Sequence, residues 1–194
     1  MTENTRRITL KALILMTVLA AVVFVDQWTK NWTVDVIGNG GDIDLIPGWF
    51  GLSYVRNQGA AWGIFQGGQV VLGAVTVVVV AYLVFLYMKT PDRKPYGLMR
   101  AAFLLIISGA VGNQLDRFFR GYVVDMFNFY IIQFPVFNVA DIVIVVGTGL
   151  LLLFFILHGK EAESVFSFRR NAGITEDPQE NDGDADTEPE ECHG

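Results

Sequence analysis

The stretch QVVLGAVTVVVVAYLVFLYM, from Gln69 to Met88, carries no charged residue and is rich in valine. Valine favours strands, but a buried strand runs only about 4–8 residues, whereas a helix crossing a bilayer needs about 20 apolar residues. This run has the length of the second kind. Working outward, three more runs have the same character: Ile8 to Val25, interrupted only by Lys11; Leu98 to Leu115, with Arg100 near its start; and Asp141 to His158, uncharged after its first acid. Lys11 is tolerable because its aliphatic stem can lie along the bilayer while the ammonium reaches the headgroups. The pattern predicts an all-α integral membrane protein with four transmembrane helices, over about 8–25, 69–88, 98–115 and 141–158. Alternation in Gly51-Leu52-Ser53-Tyr54-Val55-Arg56 predicts a short strand, so the loops 26–68 and 116–140 should form a small extracytoplasmic β-containing subdomain.

The composition agrees: of 194 residues, 52% are hydrophobic and 18% charged, against about 25% charged in soluble domains. The net charge of −6 is unevenly distributed. Glu176 to Glu191 holds nine acids and no base, leaving 14 basic and 11 acidic groups elsewhere. Residues 1–160 are expected to form the membrane domain, and 161–194 a tail, acidic and disordered from about 171. No Lys/Arg cluster could track a phosphate backbone, so nucleic-acid binding is excluded. The single cysteine, Cys192, and two histidines, His158 and His193, give no basis for a disulfide framework or a metal centre, and no metal or cofactor is expected.

Lysine and arginine set orientation in the membrane. The N-terminus, the 89–100 loop and the segment after the fourth helix carry ten of them, and the other two loops carry only Lys30, Arg56, Arg117 and Arg120. Both termini should therefore be cytoplasmic and the 26–68 and 116–140 loops external. The first helix, with Arg6 and Arg7 before it, is read as an uncleaved signal anchor, because Val22-Val23-Phe24-Val25 offers no small-residue cleavage site.

Charges at a membrane edge are costly and need a reason. Asp26 and Lys30, at i,i+4 spacing with the acid first, suit a salt bridge at the end of the first helix. Asn113, Asp116 and Arg117 can share one side at the end of the third, as a structural or a functional polar cluster. Asp125 and Asp141 have no sequence-local counter-ion. Either they pair with Arg117 or Arg120 and cap a helix, or they face each other. In the second case they share a proton and their pKa values separate, so that one can serve as base toward a water and the other as acid. Asn138 and Asp141 match a capping box at the start of the fourth helix; the helix dipole there favours a carboxylate, whereas Asp125, expected in a loop beside aromatic residues, should hold the proton. A proton- or ion-coupled carrier would also use intramembrane acids, but it needs ionisable groups at several depths, and the helix interiors have none.

Five blocks together resemble the bacterial lipoprotein signal peptidase (signal peptidase II) family: Asp26-Gln27-Trp28-Thr29-Lys30, Asn57-Gln58-Gly59-Ala60-Ala61-Trp62-Gly63, Gly112-Asn113-Gln114-Leu115-Asp116-Arg117, Gly121-Tyr122-Val123-Val124-Asp125 and Phe134-Pro135-Val136-Phe137-Asn138-Val139-Ala140-Asp141. The resemblance covers about Arg6 to His158; Met126 stands where the family often has Phe, and the acidic tail lies outside the pattern. It implies an intramembrane aspartyl endopeptidase that removes the signal peptide from diacylglyceryl-modified prolipoproteins just before the lipidated Cys. Asp125 and Asp141 are then catalytic. Asn57, Asn113, Arg117 and Asn138 position substrate or the acid pair, and Asp26, Lys30 and Asp116 support them. The expected partners are lipid-modified prolipoproteins and membrane lipids, with the enzyme a monomer in the bacterial inner membrane.

Overall fold

A computed structural model describes residues 2–59, 69–132 and 134–166. Four long helices and three strands follow in the order α1 (Glu3–Gly40), β1 (Ile43–Ile46), β2 (Phe50–Asn57), α2 (Gln69–Lys89), α3 (Gly97–Arg120), β3 (Val123–Phe129) and α4 (Val139–Phe166). All four helices are long and apolar enough to cross a membrane. Their outer surfaces are correspondingly apolar: Val70, Val78, Val145 and Ile156 are all exposed, which water would penalise and lipid does not.

α3 is the central helix. Met99, Ala102, Phe103, Ile107 and Ser108 are fully buried, and α4 lies close against this helix. A Cβ on Gly109 would meet Ile144 of α4 at 2.7 Å; the small residue lets the two backbones approach, as membrane helices commonly require. Leu15 of α1, Leu86 and Tyr87 of α2 and Phe154 of α4 complete one apolar cluster around α3.

The helices differ from the sequence reading mainly in length. α1 continues past Val25 to Gly40, so Asp26 and Lys30 lie inside it rather than at its end. No Gly or Pro interrupts Asp26 to Ile37, and a charge does not stop a helix when its side chain finds a partner. At 1.5 Å per residue α1 is about 57 Å long, well beyond the ~30 Å hydrocarbon core, so part of it projects out of the membrane. α3 extends to Arg120 and closes on Gly121, whose φ of 75° is the left-handed C-cap that glycine adopts without strain. α4 kinks at His158 (φ −141°, ψ 44°) and resumes to Phe166, so residues 161–166, expected as the start of the tail, are helical. The expected disorder from about 171, and Ala60 to Gly63 of the second block, lie outside the described residues.

The strands form one antiparallel sheet in the order β1-β2-β3. The expected strand at 51–56 is β2, at the sheet centre. Val55 pairs with Asp125 and Asn57 with Val123 across β2 and β3. Asp125 therefore stands on a strand, not in a loop. Val123, Val124, Asp125 and Met126 are all buried, so β3 is covered on both faces and lacks the alternation that marks a half-buried strand.

Candidate active site

Three elements converge on the two acids: β2 contributes Asn57, β3 Asp125, and the N-terminus of α4 Asn138 and Asp141. Asp125 is 2% exposed. Asn57 Nδ2 donates to one of its carboxylate oxygens at 2.9 Å, and Asn138 Nδ2 donates to the other at 2.7 Å. Asn138 also binds Asp141 reciprocally: its backbone N–H donates to Asp141 Oδ2 at 3.1 Å, while the Asp141 N–H donates to Asn138 Oδ1 at 3.0 Å. This is the capping arrangement that the three-residue spacing suggests, and it fixes Asp141 in the first turn of α4. One asparagine thus touches both carboxyl groups.

Asn113 of α3 joins them from below. Its Nδ2 donates to Asp141 Oδ1 at 2.8 Å, and its Oδ1 accepts from Lys30 Nζ at 2.9 Å and from Asn138 Nδ2 at 3.1 Å. An ammonium can only donate, so Lys30 forces the amide oxygen to face it and leaves the NH2 for Asp141. Lys30 is fully buried and also pairs with Asp26 at 2.9 Å and Asp116 at 3.1 Å. Both carboxylates also bind the chain: the other oxygen of Asp26 accepts from the Ala140 N–H at 3.0 Å, and the oxygen of Asp116 that faces Lys30 also accepts from the Val124 N–H at 3.0 Å. The cluster thereby anchors the residues that immediately precede Asp125 and Asp141.

Burial dominates the chemistry of Asp125, whose carboxyl is pushed up to about 7. Desolvation is the largest cause, opposed by the Asn57 hydrogen bond and reinforced by the charge of Asp141. Among the described residues no ion pair joins Arg117 or Arg120 to either acid; Arg120 lies 3.6 Å from Asp116 instead. Arg117 borders the same cavity as the acids, and its Nε is buried without a hydrogen-bond partner.

That cavity has a volume of about 500 Å³ and is lined by both acids, Asn57, Asn113 and Arg117 together with an apolar wall. Phe137 packs against Phe127, Phe129 and Phe134 with ring centroids 5.4–5.9 Å apart. On the α4 side the wall is Ile142, Val145 and Val146, all exposed on the bundle surface. The cavity accordingly offers two carboxyls and a cation at one end and opens along a lipid-facing helix.

All nine singled-out residues fall in one connected region. The sequence reading missed Gln27, which bridges the Gly112 carbonyl and Asp116 at 3.2 and 3.1 Å, and the apolar wall. Gln27 lies inside the Asp26–Lys30 block, next to the acid it helps orient; on α4, Asp141, Ile144 and Val145 share one helical face, a spacing that marks the wall.

The family model described as Signal peptidase (SPase) II matches residues 18–157. A lipoprotein signal peptidase of Clostridium acetobutylicum is 46% identical over 144 residues, spanning 72% of this chain and 92% of that protein. One of Enterococcus faecalis is 38% identical over 144 residues, spanning 74% and 88%. A solved structure described as a bacterial membrane enzyme at 1.9 Å resolution by the in meso method superposes with a TM-score of 0.65 at 30% identity, over 75% of this chain and 94% of that one. The match runs through all four helices and every block that builds the site, and on that ground the chain belongs to the signal peptidase II family and is a multi-pass membrane peptidase.

Proposed function

We propose that this peptidase removes signal peptides from diacylglyceryl-modified prolipoproteins by aspartyl catalysis, with Asp125 and Asp141 as the catalytic pair. The observation that carries the proposal is that Asn138 hydrogen-bonds both carboxyl groups, while among the described residues neither has a cation within ion-pair distance. Two acids held by neutral amides keep their geometry whichever of them bears the shared proton.

The neutral Asp125, favoured by its burial, donates to the scissile carbonyl oxygen. The ionised Asp141 takes a proton from water as the hydroxyl adds to the carbonyl carbon. Collapse of the tetrahedral intermediate breaks the C–N bond. The proton on Asp141 passes to the leaving nitrogen, which becomes the new amino terminus of the lipidated Cys, and Asp125 recovers its own proton from the intermediate. Asn57, Asn113 and Asn138 position the pair. Arg117, with an unpartnered Nε at the cavity, positions the substrate backbone. Asp26, Lys30 and Asp116 support Asn113 and the two backbone segments that carry the acids.

The exposed Ile142, Val145 and Val146 support lateral entry, with the substrate's acyl chains remaining in the bilayer. The Lys/Arg distribution supports cytoplasmic termini and a site at the outer face, where an exported precursor presents its cleavage point. Such an enzyme acts as a monomer, with the chain through Arg170 sufficient for catalysis and the acidic tail beyond it dispensable. The uncharged stretches between Lys11 and Asp26, from Gln69 to Met88, between Arg100 and Asp116, and from Ile142 to Leu157 favour a one-sided site over an ion conduit.

The test is incubation of the purified protein with a lipidated prolipoprotein. Asp125→Asn and Asp141→Asn are each expected to lower turnover at least about 10²–10⁴-fold with thermal unfolding retained. Turnover near that of the parent protein in either variant would overturn the pair.

A further inference from the structure

The end of the bundle opposite the two acids has its own polar construction. Lys11, 9% exposed, reaches from α1 to the end of α2, where its Nζ donates to the Met88 and Thr90 carbonyls at 3.0 and 2.6 Å. It also pairs with Asp92 at 3.4 Å, and Asp92 accepts a hydrogen bond from Arg100 at the start of α3. Tyr87 closes the contact from α2, its hydroxyl donating to the Lys11 carbonyl at 3.2 Å. This network pins the 89–100 loop against the first turns of α1 and leaves two clefts on either side of that contact.

One cleft, of about 630 Å³, lies between α1 and the loop, with Arg7, Lys11, Lys89 and Arg93 in its wall. The other, of about 390 Å³, lies between α1 and α3, with Arg7, Lys11 and Arg100 on it and Leu10, Ile14 and Leu104 as its apolar lining. Arg7, Lys11 and Asp92 border both. Among the described residues Asp92 is the only acid in either wall, and Lys11 and Arg100 already share it. Arg7 pairs with Glu3, but the two side chains are 63% and 79% exposed, so that pair is weak and readily exchanged.

We propose that these clefts bind an anionic phospholipid of the leaflet bordering the 89–100 loop, with its phosphate between Arg7 and Arg100 and one acyl chain along Leu10, Ile14 and Leu104. A surplus of cations at the mouth matches a single phosphate charge. The apolar groove continuous with that mouth is the reason to assign a lipid rather than free phosphate, which has no use for it. Basic pockets between helices near a membrane surface are a recurrent form of headgroup recognition. The site is independent of the carboxylate pair at the other end.

The experiment uses the full chain in phosphatidylcholine vesicles containing a minor fraction of phosphatidylglycerol, with lipids retained after gentle extraction counted by native mass spectrometry. Phosphatidylglycerol should be retained in preference to phosphatidylcholine. Arg7→Gln, at an exposed position, should lower that preference roughly fivefold, and Arg7→Gln/Arg100→Gln roughly twentyfold, following the effect of each cation at a membrane surface. Cleavage of a detergent-solubilised precursor should be unchanged in both variants, which verifies their folding. Equal retention of the two lipids, or an unchanged preference in the double variant, would overturn the site. Loss of retained phosphatidylglycerol on adding inorganic phosphate at matched ionic strength would assign the clefts to free phosphate. Retention that appears only after truncation behind Arg170 would assign them to the acidic tail. Either result would overturn the lipid assignment.

Discussion

Two pairs of carboxyl groups lie within one hydrogen-bonded network and are held in opposite ways. Asp26 and Asp116 share the ammonium of Lys30 at 2.9 and 3.1 Å. Asp125 and Asp141 share only asparagine amides and backbone N–H groups. The shared ammonium ties α1 to α3 through the first pair. The amide and backbone donors fix the oxygen atoms of the second pair with no full charge bonded to them. Asn113 connects the two regions, accepting from Lys30 on one side and donating to Asp141 on the other.

The largest effect that tests this contrast is on stability. Lys30→Met strands two buried carboxylates, and loss of one partner from a buried ionic cluster costs about 3–5 kcal/mol. Unfolding in detergent should occur at much lower temperature, with Asp26→Asn in the same chain restoring part of the loss. An unchanged transition would mean that the cluster contributes nothing to the fold.

Asn57→Ala tests the other pair. The Asn57 amide favours the ionised form of Asp125, so its removal favours the neutral acid. If Asp125 must be protonated to act, the alkaline limb of the kcat/KM profile should move upward from about 7. A hydrogen bond to a charged group is worth about 1.5–3 kcal/mol, or about one to two pH units. A limb that stays in place or moves downward would remove Asp125 as its origin.

The smallest effect is expected at the edge of the cluster. Arg120→Gln removes a long, 3.6 Å contact from a part-exposed guanidinium to the buried Asp116 and a surface hydrogen bond to Asn31, rim contacts that contribute about 0–1 kcal/mol each. Stability and turnover should both be nearly unchanged. A loss comparable to that of Lys30→Met would erase the distinction between the centre of the cluster and its rim.

What the sequence disclosed about these regions follows the range of the interactions. The spans were legible because lipid exposure requires long apolar runs, and the capping bonds of Asn138 and Asp141 because three residues separate the partners. The Asp26–Lys30 contact was legible for the same reason, although the charges suggested a helix end where α1 in fact continues. β3 was not legible, since Val123 to Met126 is buried on both faces and pairs with a strand at Phe50–Asn57. The bonds from Asp26 to Ala140 and from Lys30 to Asn113 cross between distant helices, and no local spacing encodes them. Family resemblance brought these residues together as blocks; their division into a cation-paired cluster and an amide-held pair is visible only in three dimensions.

The most direct measurement is infrared titration of the carboxyl C=O band in the parent protein, Asp125→Asn and Asp141→Asn. Burial raises Asp125 to about 7, with the Asp141 charge a lesser cause. A protonated-carboxyl band titrating in that region should therefore be present in the parent protein, survive in Asp141→Asn and vanish in Asp125→Asn. A band that persists in Asp125→Asn and disappears in Asp141→Asn would contradict the assignment of the proton. The absence of any such band from the parent protein would contradict a proton shared by the amide-held pair.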